Sequence, residues 1–244
     1  MSGKLYVVGI GPGNYEEMTL HVLEVIKKAD VIVGYKTYID LLKDSMKNKE
    51  IIVNGMRGEV ERCNKGIEKA LEGKIVAIIS SGDPGVYAMA GLTLEMISKK
   101  EIEIEVEIIP GITSANAAAA SLGAPIMHDH VYISLSDLMI DYELIKKRIK
   151  LAAEGDFVIC LFNPKSKGRP DYISDARDII LKYKSKETVV GIVNKAKREG
   201  EKVIITTLEK MLNYNIDMTT MVIIGNSNSY KYNDLMITPR GYKF

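Results

Sequence analysis

Tryptophan is absent from the 244-residue chain, phenylalanine occurs 3 times, and cysteine only twice. Cys63 and Cys160 are far apart and show no Cys-x-x-Cys spacing. Cys160 lies in the apolar run FVICLF and reads as a buried, inert thiol, and neither cysteine reads as catalytic. Charge of one sign is missing as well: 33 basic residues stand against 32 acidic ones, a formal net charge of +1. This balance gives no overall attraction for nucleic acid or for a membrane surface, and neither is expected as a partner. No uninterrupted apolar run approaches membrane-spanning length, and the amino terminus, MSGKLYVVGIGPG, has no apolar core followed by a small-residue cleavage site. The expectation is a soluble cytoplasmic protein, long enough to bury one large or two modest cores.

What the sequence does contain is a βα rhythm. Apolar strands are expected at 4–8, 31–33, 51–53, 75–79 and 102–108, separated by helices at 19–29, 38–46, 59–71 and 86–99. Such alternation predicts a largely parallel sheet with helices on both faces. A break follows at Pro110 and Gly111, and then the small-residue helix ANAAAASL. Past it, strands at 131–134, 157–162, 188–193, 202–206 and 220–224 alternate with helices at 142–153 and 172–183 and a short one from Leu208. Some turns here join adjacent strands directly, so this half reads as a mixed sheet. The expected fold class is two α/β domains, 1–110 and 111–244, with a ligand cleft between them.

The chemistry concentrates where strands end. Ile75–Ile79 runs straight into Ser80, Ser81, Gly82, Asp83, Pro84 and Gly85. Such a turn at the carboxyl end of a parallel strand sits where open α/β sheets bind ligands. Taken alone, Asp83 reads equally well as the cap of a helix starting at Pro84. The earlier loop Gly9, Ile10, Gly11, Pro12, Gly13, Asn14 invites a dinucleotide reading. The third glycine of GxGxxG would fall on Asn14, however, and no GK[ST] phosphate cradle exists anywhere, which disfavours NAD and ATP. A glycine loop without phosphate recognition suits a nucleoside lacking phosphate. His128, Asp129 and His130 resemble metal ligands, yet His21 is the only other imidazole, so no protein-bound metal is expected. Arg57, Lys165 and Arg169 lie in loops after strands and can fork onto or pair with a carboxylate; each alone also reads as a solvated loop residue.

The blocks GIGPG from Gly9, SSGDPGVYAMAG from Ser80 and PGITSANAAAASLGAPIMHDH from Pro110, in this order and spacing, resemble the tetrapyrrole methylase family over essentially the whole chain. GMRGEVERC, HDHVYISLSDL and NPKSKGRPDY resemble the branch that methylates C-17 of precorrin-3B or cobalt-precorrin-3 and contracts the ring in cobalamin synthesis. The resemblance implies S-adenosylmethionine as methyl donor, with S-adenosylhomocysteine as product, bound between two domains. It assigns donor contacts to Gly82, Asp83, Val86, Thr113, Ser114, Phe162, Asn194, Ala196, Thr220 and Met221. It places Gly11, Pro12 and Gly13 nearer the macrocycle, with Arg57, Lys165 and Arg169 for its carboxylates. Ring contraction needs proton transfers, for which His128, Asp129 and His130 are the candidates. A homodimer is expected from the family. Other readings are another ring position (C-11, C-20 or uroporphyrinogen), diphthine synthesis on a protein, or a SAM-binding module without turnover.

Overall fold

The computed structural model describes residues 3–42, 46, 48–55 and 58–244. Its contacts divide the chain into two compact units, Met1–Ser114 and Ala115–Phe244.

In the first unit the elements run β1 (Lys4–Gly9), α1 (Leu20–Lys28), β2 (Val31–Tyr35), α2 (Lys36–Leu41), β3 (Glu50–Asn54), α3 (Glu59–Leu71), β4 (Ile75–Ser80), α4 (Met89–Lys99) and β5 (Glu105–Ile109). The five strands form one sheet, ordered β3-β2-β4-β1-β5, and every pairing in it is parallel. Alternation along each strand sorts side chains onto two faces. Val8, Ile32, Ala77 and Ile79 pack with Val22, Val25 and Ile26 of α1 and Ile39 of α2. Leu5, Val7, Val31, Val33, Val76 and Ile78 pack with Cys63, Ile67 and Ala70 of α3 and Met89 and Ala90 of α4. A sheet buried on both faces explains why its strands read as continuous apolar runs.

Thr19 caps α1, its Oγ1 accepting the Val22 amide at 3.2 Å. The helix expected at 38–46 is observed as Lys36–Leu41, and part of the remainder lies outside the described residues. The larger correction concerns α4. It begins at Met89, not at residue 86, and its N-cap position is Ala88, with no side-chain cap. Asp83 therefore does not cap this helix. Its Oδ1 instead accepts the Gly85 amide at 2.8 Å, an Asx-type turn that competes with helix entry. The chain then loops through Tyr87, whose φ of 53° is unusual for a bulky residue, before the helix can start.

The second unit holds the rest of α5 (Ser114–Leu122), then β6 (Gly123–Ala124), β7 (His130–Ser134), α6 (Tyr142–Glu154), β8 (Val158–Phe162), α7 (Tyr172–Ile180), β9 (Val189–Asn194), β10 (Lys202–Thr207), β11 (Thr220–Ile224), β12 (Tyr230–Tyr232) and β13 (Leu235–Ile237). The main sheet is mixed, in the order β10-β9-β11-β8-β7, with only β7 and β8 paired in parallel. One face buries Ile145 and Ile149 of α6 and Ile173, Ala176 and Ile180 of α7 against Ile159, Leu161, Ile192 and Val222. Against the other lies α5, so tightly that a Cβ on Gly191 would meet Leu122 at 2.3 Å. The expected helix from Leu208 is a single 3-10 turn, Met211–Asn213. A small sheet of β12, β13 and β6 was not expected, because its two- and three-residue strands are too short for an alternation to show. Among the described residues, no helix is long and apolar enough to cross a membrane.

Candidate active site

The first sheet contains a switch point. From β1 the chain turns to α1 on one face and on to β2, whereas from β4 it turns to α4 on the opposite face and on to β5. β1 and β4 are neighbours, so their carboxyl ends open the crevice where α/β sheets take ligands. Three loops meet there. Gly11 and Gly82 exchange both backbone hydrogen bonds, at 3.1 and 2.8 Å. Asp83 joins the third loop, its Oδ2 accepting the Gly111 amide at 3.1 Å. The backbones are so close that a Cβ on Gly111 would sit 2.3 Å from the Gly9 carbonyl oxygen and 2.4 Å from that of Gly82. Gly82 itself holds a φ of 71°, which an L side chain rarely adopts, and a Cβ there would lie 3.8 Å from both the Thr113 Cα and the Ser114 amide nitrogen.

The structure therefore brings Gly82, Asp83, Thr113 and Ser114 together, with Val86 one turn beyond, its amide on the Asp83 carbonyl at 3.2 Å. Gly11 belongs to the same knot. Pro12 and Gly13 are buried behind it, and a Cβ on Gly13 would strike Leu41 at 2.5 Å.

The second unit gathers its candidates at one sheet edge. Phe162 ends β8, Asn194 ends β9, and Thr220 and Met221 begin the antiparallel β11 between them, with Thr220 opposite Asn194. Asn194 is fixed by Asp217: its Nδ2 lies 2.9 Å from Asp217 Oδ1, 3.0 Å from Thr219 Oγ1 and 3.1 Å from Thr220 Oγ1. Partial burial would raise the Asp217 pKa, but these hydroxyl, amide and backbone donors outweigh it and hold it below the usual carboxylate range. Ala196 follows in a turn where Lys195 and Lys197 both have positive φ.

His128, Asp129 and His130 are not brought to that edge. His128 and Asp129 precede β7 and His130 is its first residue, at the opposite end of the same sheet, where the Asp129 carbonyl accepts the Val158 amide at 3.1 Å. His128 Nδ1 accepts the Asp129 amide at 2.9 Å, so the neutral ring carries its proton on Nε2. The His130 ring nitrogen lies 3.1 Å from the His128 carbonyl. Among the described residues no group of three or more metal-ligating side chains occurs.

Of the three candidate cations, Lys165 is exposed on its loop. Arg169 is turned inward: Nη1 donates to the Leu135 carbonyl and Nε to Ser166 Oγ, both at 3.1 Å, with Asp137 at 3.8 Å. It pins residues 163–170 to the segment after β7. Arg57 lies outside the described residues. Both cysteines are buried, and burial alone pushes the Cys160 thiol up to about 12, which leaves it protonated at neutral pH. Two residues at these edges escaped the sequence reading. Asp217 looks like an ordinary loop acid. Arg62 looks like a surface position of an amphipathic helix, but is 4% exposed.

Comparison with known proteins is consistent over the whole chain. A family model described as Tetrapyrrole (Corrin/Porphyrin) Methylases matches residues 4–212. A cobalt-factor III methyltransferase from Priestia megaterium is 50% identical over 247 residues, which take in 100% of this chain and 46% of that longer protein. A probable cobalt-factor III C(17)-methyltransferase from Salmonella typhimurium is 49% identical over 238 residues, 98% of this chain and 99% of the relative. The crystal structure of the methyltransferase CobJ superposes with a TM-score of 0.93 at 32% identity, covering 98% of this chain and 100% of that one.

Proposed function

The chain belongs to the tetrapyrrole (corrin/porphyrin) methylases, and from that premise we propose that it methylates C-17 of cobalt-factor III, with contraction of the ring, using S-adenosylmethionine. The observation that carries the reading is the knot of Gly11, Gly82, Asp83 and Gly111 at the switch point of the first sheet. It fits a nucleoside sulfonium: it offers close backbone, carbonyl oxygens and one carboxylate, and no built cradle for phosphate.

When bound, S-adenosylmethionine supplies an electrophilic methyl group on a positively charged sulfur. The chain's task is to hold that group and the nucleophilic ring carbon in line, and such positioning supplies much of the acceleration. Positive charge disperses as the methyl moves, so a bare carboxylate against the sulfur would favour the ground state over the transition state. Asp83 has one amide on each oxygen, which tempers its charge and suits it to fixing the loops. Gly82, Val86, Thr113 and Ser114 are proposed as the donor's neighbours in the first unit, and Phe162, Asn194, Ala196, Thr220 and Met221 as the second unit's candidates for ligand contact. Gly11, Pro12 and Gly13 shape the loop on the macrocycle side, and Lys165 and Arg57 meet its carboxylates. Arg169, spent on Leu135 and Ser166, acts by shaping the loop that carries Lys165. His128, Asp129 and His130 lie at the end of the second sheet opposite Phe162 and Asn194, and the family resemblance alone proposes them for the proton transfers of ring contraction. The proposal includes a cytoplasmic homodimer, which sedimentation of the purified protein and fractionation of expressing cells test.

Incubation of the protein with S-adenosylmethionine and either cobalt-factor III or its metal-free counterpart tests the function. The expected result is a changed absorbance spectrum and one added methyl by mass spectrometry, with the cobalt form preferred. Methylation of a different ring precursor in place of these would overturn the C-17 assignment, and binding without any turnover would leave only a SAM-binding module.

A further inference from the structure

We propose that Arg62 forms an anion subsite at the carboxyl edge of the first sheet, on its α3/α4 face, and that it receives one carboxylate arm of the macrocycle. The inference rests on the reading of the substrate as a polycarboxylated ring.

Arg62 is 4% exposed, and charged side chains are almost never buried to this degree without a partner of opposite charge. Its partners are all neutral. Nε donates to Asn54 Oδ1 at 2.9 Å and Nη2 to the Gly55 carbonyl at 3.1 Å, both from the loop that leaves β3. Nη1 lies 3.6 Å from the Met89 thioether, a weak acceptor. Among the described residues no carboxylate comes within ion-pairing distance. On the same turn of α3, Glu61 is paired with Lys65 at 2.7 Å, and Glu59 is exposed.

The donors of a guanidinium form two forks. The Nε and Nη2 side is spent on adjacent acceptors, Asn54 and Gly55, which leaves the Nη1/Nη2 end with sulfur alone. That end has the geometry that binds the two oxygens of a carboxylate. Two further features favour an anion or acceptor here. Met89 is the first residue of α4, so the positive end of an 11-residue helix adds to the guanidinium charge. Ser80, 3% exposed at the end of β4, has an Oγ with no hydrogen-bond partner. Alternation puts Ser80 on the face of Val76 and Ile78, the α3/α4 face, together with Tyr35, over whose ring Arg62 lies at 5.9 Å. A buried cation without a counter-charge and a buried hydroxyl without a partner thus share one face at the ligand edge. The subsite takes the tip of an acetate or propionate arm; the ring itself stays outside.

The test measures binding, not turnover, so an error in the carbon specificity leaves it readable. Uroporphyrin, a diamagnetic octacarboxylate, is titrated by absorbance into the wild type, Arg62→Lys and Arg62→Gln, and S-adenosylhomocysteine is titrated into each by calorimetry. Arg62→Gln is expected to weaken uroporphyrin about tenfold or more, and Arg62→Lys to fall between, because it keeps the charge and loses the fork. S-adenosylhomocysteine binding is expected to be unchanged. Wild-type affinity for uroporphyrin in Arg62→Gln, or equal loss of both ligands, would overturn the subsite. Should Arg62→Gln fail to fold, arginine-labelled wild type gives the answer by nitrogen NMR. The Arg62 Nε signal, identified by its loss in Arg62→Lys, shifts with uroporphyrin and not with S-adenosylhomocysteine; an unmoved signal contradicts the proposal.

Discussion

Asp83 holds Gly111 across 28 residues of sequence: the carboxylate oxygen that accepts the Gly111 amide at 3.1 Å belongs to the same side chain that accepts Gly85 at 2.8 Å. One residue thereby ties the loop after β4 to the loop after β5. Asp83→Ala removes both acceptors and is expected to cost about 1–3 kcal/mol of stability. It is also expected to weaken S-adenosylmethionine binding by about tenfold, as the amides it oriented are released. Asp83→Asn keeps one acceptor and falls between. Calorimetric titration beside thermal melts separates the two effects, and a normal affinity in Asp83→Ala would remove the turn from the donor site.

Glycines in this unit have opposite tolerances. Gly111→Ala drives a Cβ into two carbonyl oxygens at 2.3 and 2.4 Å, so the loops must separate, and the change is expected to destabilise by several kcal/mol or prevent folding. Gly91, in α4, has nothing within 4 Å of where a Cβ would be. Gly91→Ala is expected to stabilise by about 0.4–1 kcal/mol. Urea melts of the two variants check the contrast.

Part of this was legible in the sequence and part was not, for physical reasons. The strand ending at Ser80 showed because an apolar run stopped after Ile79 and gave way to Ser80, Ser81 and Gly82, and both the run and the stop are local. The start of α4 did not, because Asp-Pro announces an N-cap and an Asx turn with the same residues. The second carboxylate oxygen takes the Gly111 amide from another loop, a partner that the local sequence does not announce. Arg62 was hidden in the same way. Its helix, Glu59–Leu71, was placed to the residue from periodicity, but its environment comes from Asn54, Gly55 and Met89 on other elements. His128 precedes a strand as expected and His130 opens it, one residue earlier than the expected start at 131, while the end of the sheet they occupy follows from strand order, which periodicity does not encode.

The buried ammonium of Lys184 lies 2.8 Å from Asp156 Oδ1, with its side chain 2% exposed. Burial would raise the Asp156 pKa, but Lys184 and the Ser227 donors outweigh this and hold it below its usual value. A carboxylate depressed on folding contributes stability that is present above its unfolded pKa of about 3.9 and is lost as pH falls through the lower folded value. The melting temperature of wild type is therefore expected to fall more steeply below about pH 4 than that of Asp156→Asn. At neutral pH that variant is expected to be less stable by about 1–3 kcal/mol, since Lys184 loses its counter-charge. Parallel acid titrations of the two proteins would contradict this.

For the acid–base assignment, His128→Ala is expected to leave methyl transfer near wild type and to block ring contraction, so that a methylated, uncontracted ring accumulates. Chromatography with mass and absorbance detection resolves the two products. An unchanged product would eliminate His128 from the chemistry and leave His128, Asp129 and His130 as the entry turn of β7.

The most direct measurement follows a labelled methyl group. The protein is given cobalt-factor III and S-adenosylmethionine carrying carbon-13 in its methyl, and the demetallated product is examined by NMR. A single enriched methyl on C-17 of a contracted ring is the predicted result, and enrichment at another carbon, or none on the macrocycle, would contradict the account.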